Sequence, residues 1–163
     1  MKRLEITCGN VGGVAKAYAV PVDEFVGINV NRLTGKFTVS IEEGGNLIEL
    51  AVPEGAISFR ETGSEGDNGK MYDVAIDVDV PNNNKDNDSI IDTLVNGQWL
   101  LIFQDSNGIV RLAGTKSIPL SCIEDNTTGR NHEEYSKNTL NFHAVEYRRS
   151  LVLDQAISDF EID

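Results

Sequence analysis

Two histidines, two cysteines and three closely spaced aspartates are the residues of this chain whose types invite a chemical reading. His132 falls in a polar stretch, and His143 lies between Phe142 and Ala144 in an alternating one. Neither has a cysteine or carboxylate at a recurring metal-ligand spacing, so a zinc site is not expected. Cys8 and Cys122 are isolated and read as small buried hydrophobes rather than ligands or a disulfide pair. Ser–His–Asp catalysis needs a strained nucleophile turn, and no G-x-S-x-G occurs. Gly9, Gly12 and Gly13 miss the dinucleotide spacing, and no phosphate-loop motif is present. The run Asn82-Asn83-Asn84-Lys85-Asp86-Asn87-Asp88 offers oxygen ligands of the kind Ca²⁺ takes. It lacks the mid-loop glycine and twelfth-position glutamate of an EF-hand, and Lys85 inside the would-be cage disfavours a cation. These residues therefore imply no enzyme, no cofactor and no metal.

The aspartates are the more distinctive set. Tyr72, Val74, Ile76, Val78 and Val80 alternate with Asp73, Ala75, Asp77 and Asp79, the period of a strand with one buried face. Like charges side by side on a strand lower its stability, so solvent or a function must favour them there. The whole chain is acidic as well: 26 aspartates and glutamates face 14 lysines and arginines, a formal charge of -12 over 163 residues. Such a balance repels free nucleic acid and keeps a protein soluble. With 40% hydrophobic residues the chain has enough apolar surface for one folded domain. No apolar run approaches the ~20 residues of a membrane span, and the amino terminus lacks a signal-peptide core. Folding in the reducing cytoplasm is the expectation.

The elements that would position these groups are mostly hairpins. Leu4, Ile6 and Cys8 alternate as a first strand, Gly9–Val14 turns, and Ala15–Val20 reads as a strand ending at Pro21. Residues 22–26 are ambiguous between a helical turn and a loop. Phe37, Val39 and Ile41 share a face, Glu43-Gly44-Gly45-Asn46 turns the chain, and Ile48, Leu50 and Val52 return. Ile57 and Phe59 start another strand, after which residues 61–69 read as a long, exposed, mobile Gly-rich loop. A helix over about 88–96 follows, with Asn87 or Asp88 as N-cap, a stripe of Ile90, Ile91, Leu94 and Val95, and Gly97 as a left-handed C-terminal stop. The unbroken run Trp99-Leu100-Leu101-Ile102-Phe103 predicts a strand covered on both faces, by the sandwich interior and by the helix or a neighbouring subunit. Asp105-Ser106-Asn107-Gly108 turns into Ile109–Gly114. Strands at residues 117–123 and around Leu140, Phe142 and Ala144 flank a polar loop at 125–137. Arg148-Arg149 and Leu151-Val152-Leu153 make a last edge strand. The prediction is a mainly β fold of about ten strands, a β-sandwich or barrel with one flanking helix. It forms a single domain over residues 1–163, with an extended acidic tail from about 154 to 163. Tyr147, Arg148 and Arg149 form a candidate subunit interface, the alternative being a plainly exposed pair of arginines.

Cys8-Gly9-Asn10-Val11-Gly12-Gly13-Val14-Ala15-Lys16 after a first strand resembles the start of small virion structural proteins of tailed bacteriophages and prophages of the Bacteroides group, which are tail-tube-like. The helix followed by Gly97-Gln98-Trp99-Leu100-Leu101-Ile102-Phe103-Gln104-Asp105-Ser106-Asn107-Gly108 and by Leu112-Ala113-Gly114 is similar to their central segment. The resemblance covers Leu4 to Ile123, and the region from Arg130 onward lies outside it.

It implies a tail tube subunit: a sandwich flanked by a helix, closing into hexameric rings that stack into a tube. The implied partners are further copies of the chain, other virion proteins and duplex DNA in passage without specific binding, with no membrane. The implied location is the virion tail, after synthesis in the bacterial host cytoplasm. On that reading carboxylates lining the lumen would repel phosphates. Asp73, Asp77 and Asp79 are the channel-lining candidates, an outer-surface location being the alternative. Gly63, Ser64, Glu65, Gly66, Asp67 and Asn68, together with the C-terminal tail, are candidates for contacts between rings. Two other functions compete with it. One is a head-to-tail connector or tail terminator ring of the same particle. The other is a non-catalytic β-sandwich binding module, which the placing of most aromatic residues in strand patterns disfavours.

Overall fold

In a computed structural model, residues 12–81, 85–127 and 137–160 are described. The expected first strand at Leu4, Ile6 and Cys8 lies outside them, as do Asn82-Asn83-Asn84, His132 and residues 161–163. Strand β7 (Gln98–Asp105) is the hub. One edge pairs antiparallel with β1 (Val14–Pro21), from Pro21↔Trp99 to Val14↔Asp105. The other pairs with β8 (Val110–Ala113) and then, at Gln98 and Trp99, with β9 (Leu120–Thr127). From β9 the sheet continues antiparallel through β10 (Lys137–Glu146) and β6 (Gly69–Pro81) to β5 (Ile57–Gly66). β4 (Ile48–Glu49) adds to β1, and β11 (Leu151–Val152) to β8. β2 (Phe25–Val30) and β3 (Phe37–Ile41) form a separate hairpin, which settles the ambiguous start of that segment as turn then strand. With the single α-helix among the described residues, α1 (Lys85–Asn96), this is the mainly β, sandwich-like fold that the alternation predicts. No helix among the described residues is long and apolar enough to cross a membrane.

Both faces of β7 are buried, as its unbroken apolar run requires. Trp99, Leu101 and Phe103 join the sandwich interior, where Ala17 and Ala19 meet Ile57, Val74, Ile76, Val78, Leu140 and Phe142. Leu100 and Ile102 point the other way, into a second cluster with Tyr18, Val20, Phe25, Val39 and Leu112. The cover differs from the expectation. Ile91 and Leu94 of α1 belong to the interior cluster, so the helix closes the sandwich rather than capping the opposite face. That face is covered by the β2–β3 hairpin and by a 3-10 turn, Ile157–Phe160, whose Ile157 and Phe160 are buried. The segment expected to be an acidic tail is thus packed as far as Phe160. Gln155 ties it down by accepting from the Val39 N–H and donating to the Val39 carbonyl.

Three local expectations are corrected. The supposed loop at 61–69 is mostly strand: β5 runs on to Gly66, and only Asp67 and Asn68 turn the chain before Gly69, at φ 101°, opens β6. The helix begins at Lys85, so Asn87 and Asp88 sit within it rather than at its cap. Asp86 and Asp88 there face the positive end of the helix dipole. The described part of the oxygen-rich run is this first turn, not a cation-binding loop. Gly97 does not take a left-handed φ. It is small because the Trp99 indole lies over it: a Cβ there would come within 2.6 Å of a ring carbon. Of the helical stripe, Ile91, Leu94 and Val95 meet the interior, while Ile90 is left 45% exposed.

Candidate functional site

β6 is a core strand on one face and polar on the other because its residues alternate. Val74, Ile76 and Val78 are fully buried, and Asp73, Asp77 and Asp79 all emerge on the opposite side. Its neighbour β10 alternates in phase, sending Thr139, Asn141 and His143 to the same outer face. Register then decides which groups meet. Thr139 stands opposite Asp79, and its hydroxyl donates to Oδ1 at 2.7 Å. Asn141 stands opposite Asp77 and donates from Nδ2 at 2.6 Å. His143, opposite Ala75, reaches diagonally so that Nε2 lies 2.8 Å from Asp73 Oδ1. An ionised Asp73 can only accept, so that nitrogen carries the proton. Lys137 completes the series at 3.0 Å from Asp79 Oδ2.

This ladder explains why a strand tolerates three aspartates. Carboxylates two residues apart, roughly 7 Å, repel by less than about 1 kcal/mol in water. Thr139, Asn141 and His143 each set a polar group against one of these carboxylates, contacts that in a half-exposed setting are of about the same size as the repulsion and offset it. At Asp79 the Thr139 hydrogen bond, helped by Lys137 and opposed by partial burial, holds the carboxyl below its ordinary value. The outer face also carries Asp125 and Arg60, giving it, among the described residues, four carboxylates against Arg60 and Lys137. The three channel candidates therefore share one face, tied to donors rather than bare.

The other candidates lie at one end of this sheet. Pairing of β6 with β10 stops at Tyr72↔Glu146, while β5 and β6 continue together through Gly63↔Tyr72 to Gly66↔Gly69. Residues 63–70 are all exposed. Gly63, Ser64, Glu65 and Gly66 are thus the outer rungs of a two-stranded arm, and Asp67 and Asn68 are its tip. Tyr147, Arg148 and Arg149 follow β10 directly; Tyr147 is 69% exposed. Arg149 Nε approaches Glu61 at 3.4 Å, and the backbone N–H and hydroxyl of Ser150 donate to Glu61 Oε2. The interface candidates and the arm are therefore linked through Glu61 at the arm's base.

Glu146, which the sequence analysis does not single out, is buried beside these groups and accepts from the Gly114 N–H at 2.6 Å. Burial pushes its carboxyl up, against the pull of that bond and of Arg148, with Glu61 adding to the rise. Its alternation phase on β10, in step with Leu140, Phe142 and Ala144, was the available signal. Cys122 is buried with its thiol pushed up to about 12 by desolvation, the opposite of an activated nucleophile. Among the described residues no group of histidine, cysteine and carboxylate side chains is placed to hold a metal. Comparison with protein-family models, with curated proteins and with solved structures finds no match to this chain.

Proposed function

We propose that this chain is a non-catalytic structural subunit that assembles with copies of itself, as rings of the tail-tube type stacking into a conduit for duplex DNA in a phage virion. The observation that carries the reading is the β5–β6 arm. Its outer rungs bury no apolar face and have exposed side chains on both strands. A two-stranded ribbon of that kind is marginal alone in water. Its open edges and polar surface suit it to pair with another subunit, where burial would offset its ordering entropy. The acidic outer face of β6 and β10 is compatible with a DNA passage. It presents oxygen-rich, net negative surface to phosphates, while Thr139, Asn141 and His143 are already engaged by the aspartates.

The test shortens the arm without removing the rungs that belong to the domain. Replacing residues 64–71 by an Asn-Gly turn keeps Gly63↔Tyr72 as the terminal pair and supplies the favoured two-residue hairpin geometry. The variant is expected to stay folded, with an unchanged far-UV spectrum, and to lose rings and tubes in negative-stain electron microscopy. Tubes indistinguishable from those of the parent protein would count against the arm as the assembly element. Deleting residues 63–68 is the poorer experiment, because four of those six residues are strand.

A further inference from the structure

Between the edge of β5 that no described strand pairs with and the turn joining β7 to β8 lies an open cleft of about 410 Å³. Phe59 and Phe103, with ring centroids 4.7 Å apart, give it an apolar wall. Two acidic and two basic side chains also line it: Glu61, Asp105, Arg111 and Arg149. Glu61 and Asp105 are committed to the fold, and Arg149 is largely exposed with a single 3.4 Å contact to Glu61. Glu61 takes its hydrogen bonds from Ser150 and Arg149. Asp105 Oδ1 accepts from the N–H groups of Asn107 and Ile109 and so closes the β7–β8 turn. Arg111 is different. It stands opposite Phe103 in the β7–β8 register, so its side chain leaves β8 on the cleft side; it is partly buried, and among the described residues no hydrogen bond or ion pair engages it.

We infer that this cleft is a binding site for a carboxylate carried on an apolar body, with Arg111 as the ion-pairing group and Phe59 as the contact for the apolar part. A guanidinium presents donors in a planar fork that matches a carboxylate, and it gains from an acceptor where water is partly excluded. Glu61 and Asp105 are balanced by Arg111 and Arg149, so the cleft has no net formal charge, and a carboxylate, which costs less to desolvate than a phosphate dianion, is the better fit. The volume lies in the range of small-ligand pockets. The same chemistry has two sources, a free small acid or an acidic side chain of a second copy.

The experiment titrates the full chain with 3-phenylpropionate and, separately, with its uncharged amide, following backbone and aromatic resonances by NMR. The acid is expected to give saturable shifts at Phe59 and Arg111, and the amide to bind at least about ten-fold more weakly. Arg111→Gln is expected to weaken the acid by a similar factor and Arg111→Lys to weaken it less, with both variants keeping the parent's spectral dispersion. Self-association that Arg111→Gln abolishes and phenylpropionate competes away would assign the same site to an acidic side chain of another copy. The inference is overturned if the acid gives no saturable shift at the cleft and no such competition. It is equally overturned if acid and amide bind alike. The amide arm needs no mutation, so a misfolded variant cannot rescue the idea.

Discussion

Glu146 carries a carboxyl group whose charge the fold disfavours. Its carboxyl is pushed above the ordinary 4.5 by burial. A raised acid pKa means that the folded state holds the proton more tightly than the unfolded chain does. The stability it supports is therefore full below about 4.5 and falls as pH rises through the raised folded value. Glu146→Gln keeps an oxygen for the Gly114 N–H and removes the charge. Chemical denaturation of both proteins from acid to neutral pH should show the variant gaining on the parent as pH rises; a difference that does not change with pH would contradict this. Asp79 has the opposite sign. Held low chiefly by Thr139, it contributes stability present above its ordinary 3.8 and lost as pH falls through its lowered value. Thr139→Val should raise the Asp79 carboxyl towards 3.8, as read by its side-chain carbon shift in an NMR titration, while an unmoved titration would deny Thr139 that role. The placement of Asp73, Asp77 and Asp79 on one face was legible, because alternation fixes the face of every residue on a strand. Their partners were not: whether His143 meets Asp73 or stands before Ala75 depends on a register that lies some seventy residues away in sequence.

At the scale of elements, the end of α1 shows how a correct boundary can be reached for the wrong reason. Gly97 stops the helix without adopting a left-handed conformation. It leaves room for Trp99, whose indole Nε1–H donates to the Leu94 carbonyl at 2.7 Å and so satisfies a helix-terminal acceptor. Gly97→Ala should cost about 1–3 kcal/mol through overpacking against the ring, measurable as a lowered denaturation midpoint with an unchanged slope. A neutral outcome would show that the indole can move aside. β7, α1 and β6 were readable because burial writes a period into their sequences. The outer half of β5 was not, since Gly63–Gly66 are held by backbone pairing to β6 and bury nothing, leaving a composition indistinguishable from a loop. The 3-10 turn was hidden similarly, with Ile157 and Phe160 set among acidic residues that mark a solvated tail. Long-range closure of β3 by Gln155 left no local trace at all.

At the scale of the molecule, each face of the central strand is covered by the chain's own elements, so the core around it is filled from within one chain. Among the described residues the arm, the outer edge of β5 and the Arg111 cleft are left open at the periphery, in a chain of formal charge -12. A closed core with exposed polar edges is the division of labour expected of a subunit that folds first and assembles afterwards. The head-to-tail contacts of such a subunit close into rings or continue into filaments according to their rotation. Negative-stain electron microscopy of the purified full-length protein, paired with sedimentation velocity over a wide concentration range, addresses this most directly. Rings with a central opening, or stacks of them, growing at the expense of a monomer peak, are the expected result. A single monomeric species at every concentration, with no rings on the grid, would contradict the account.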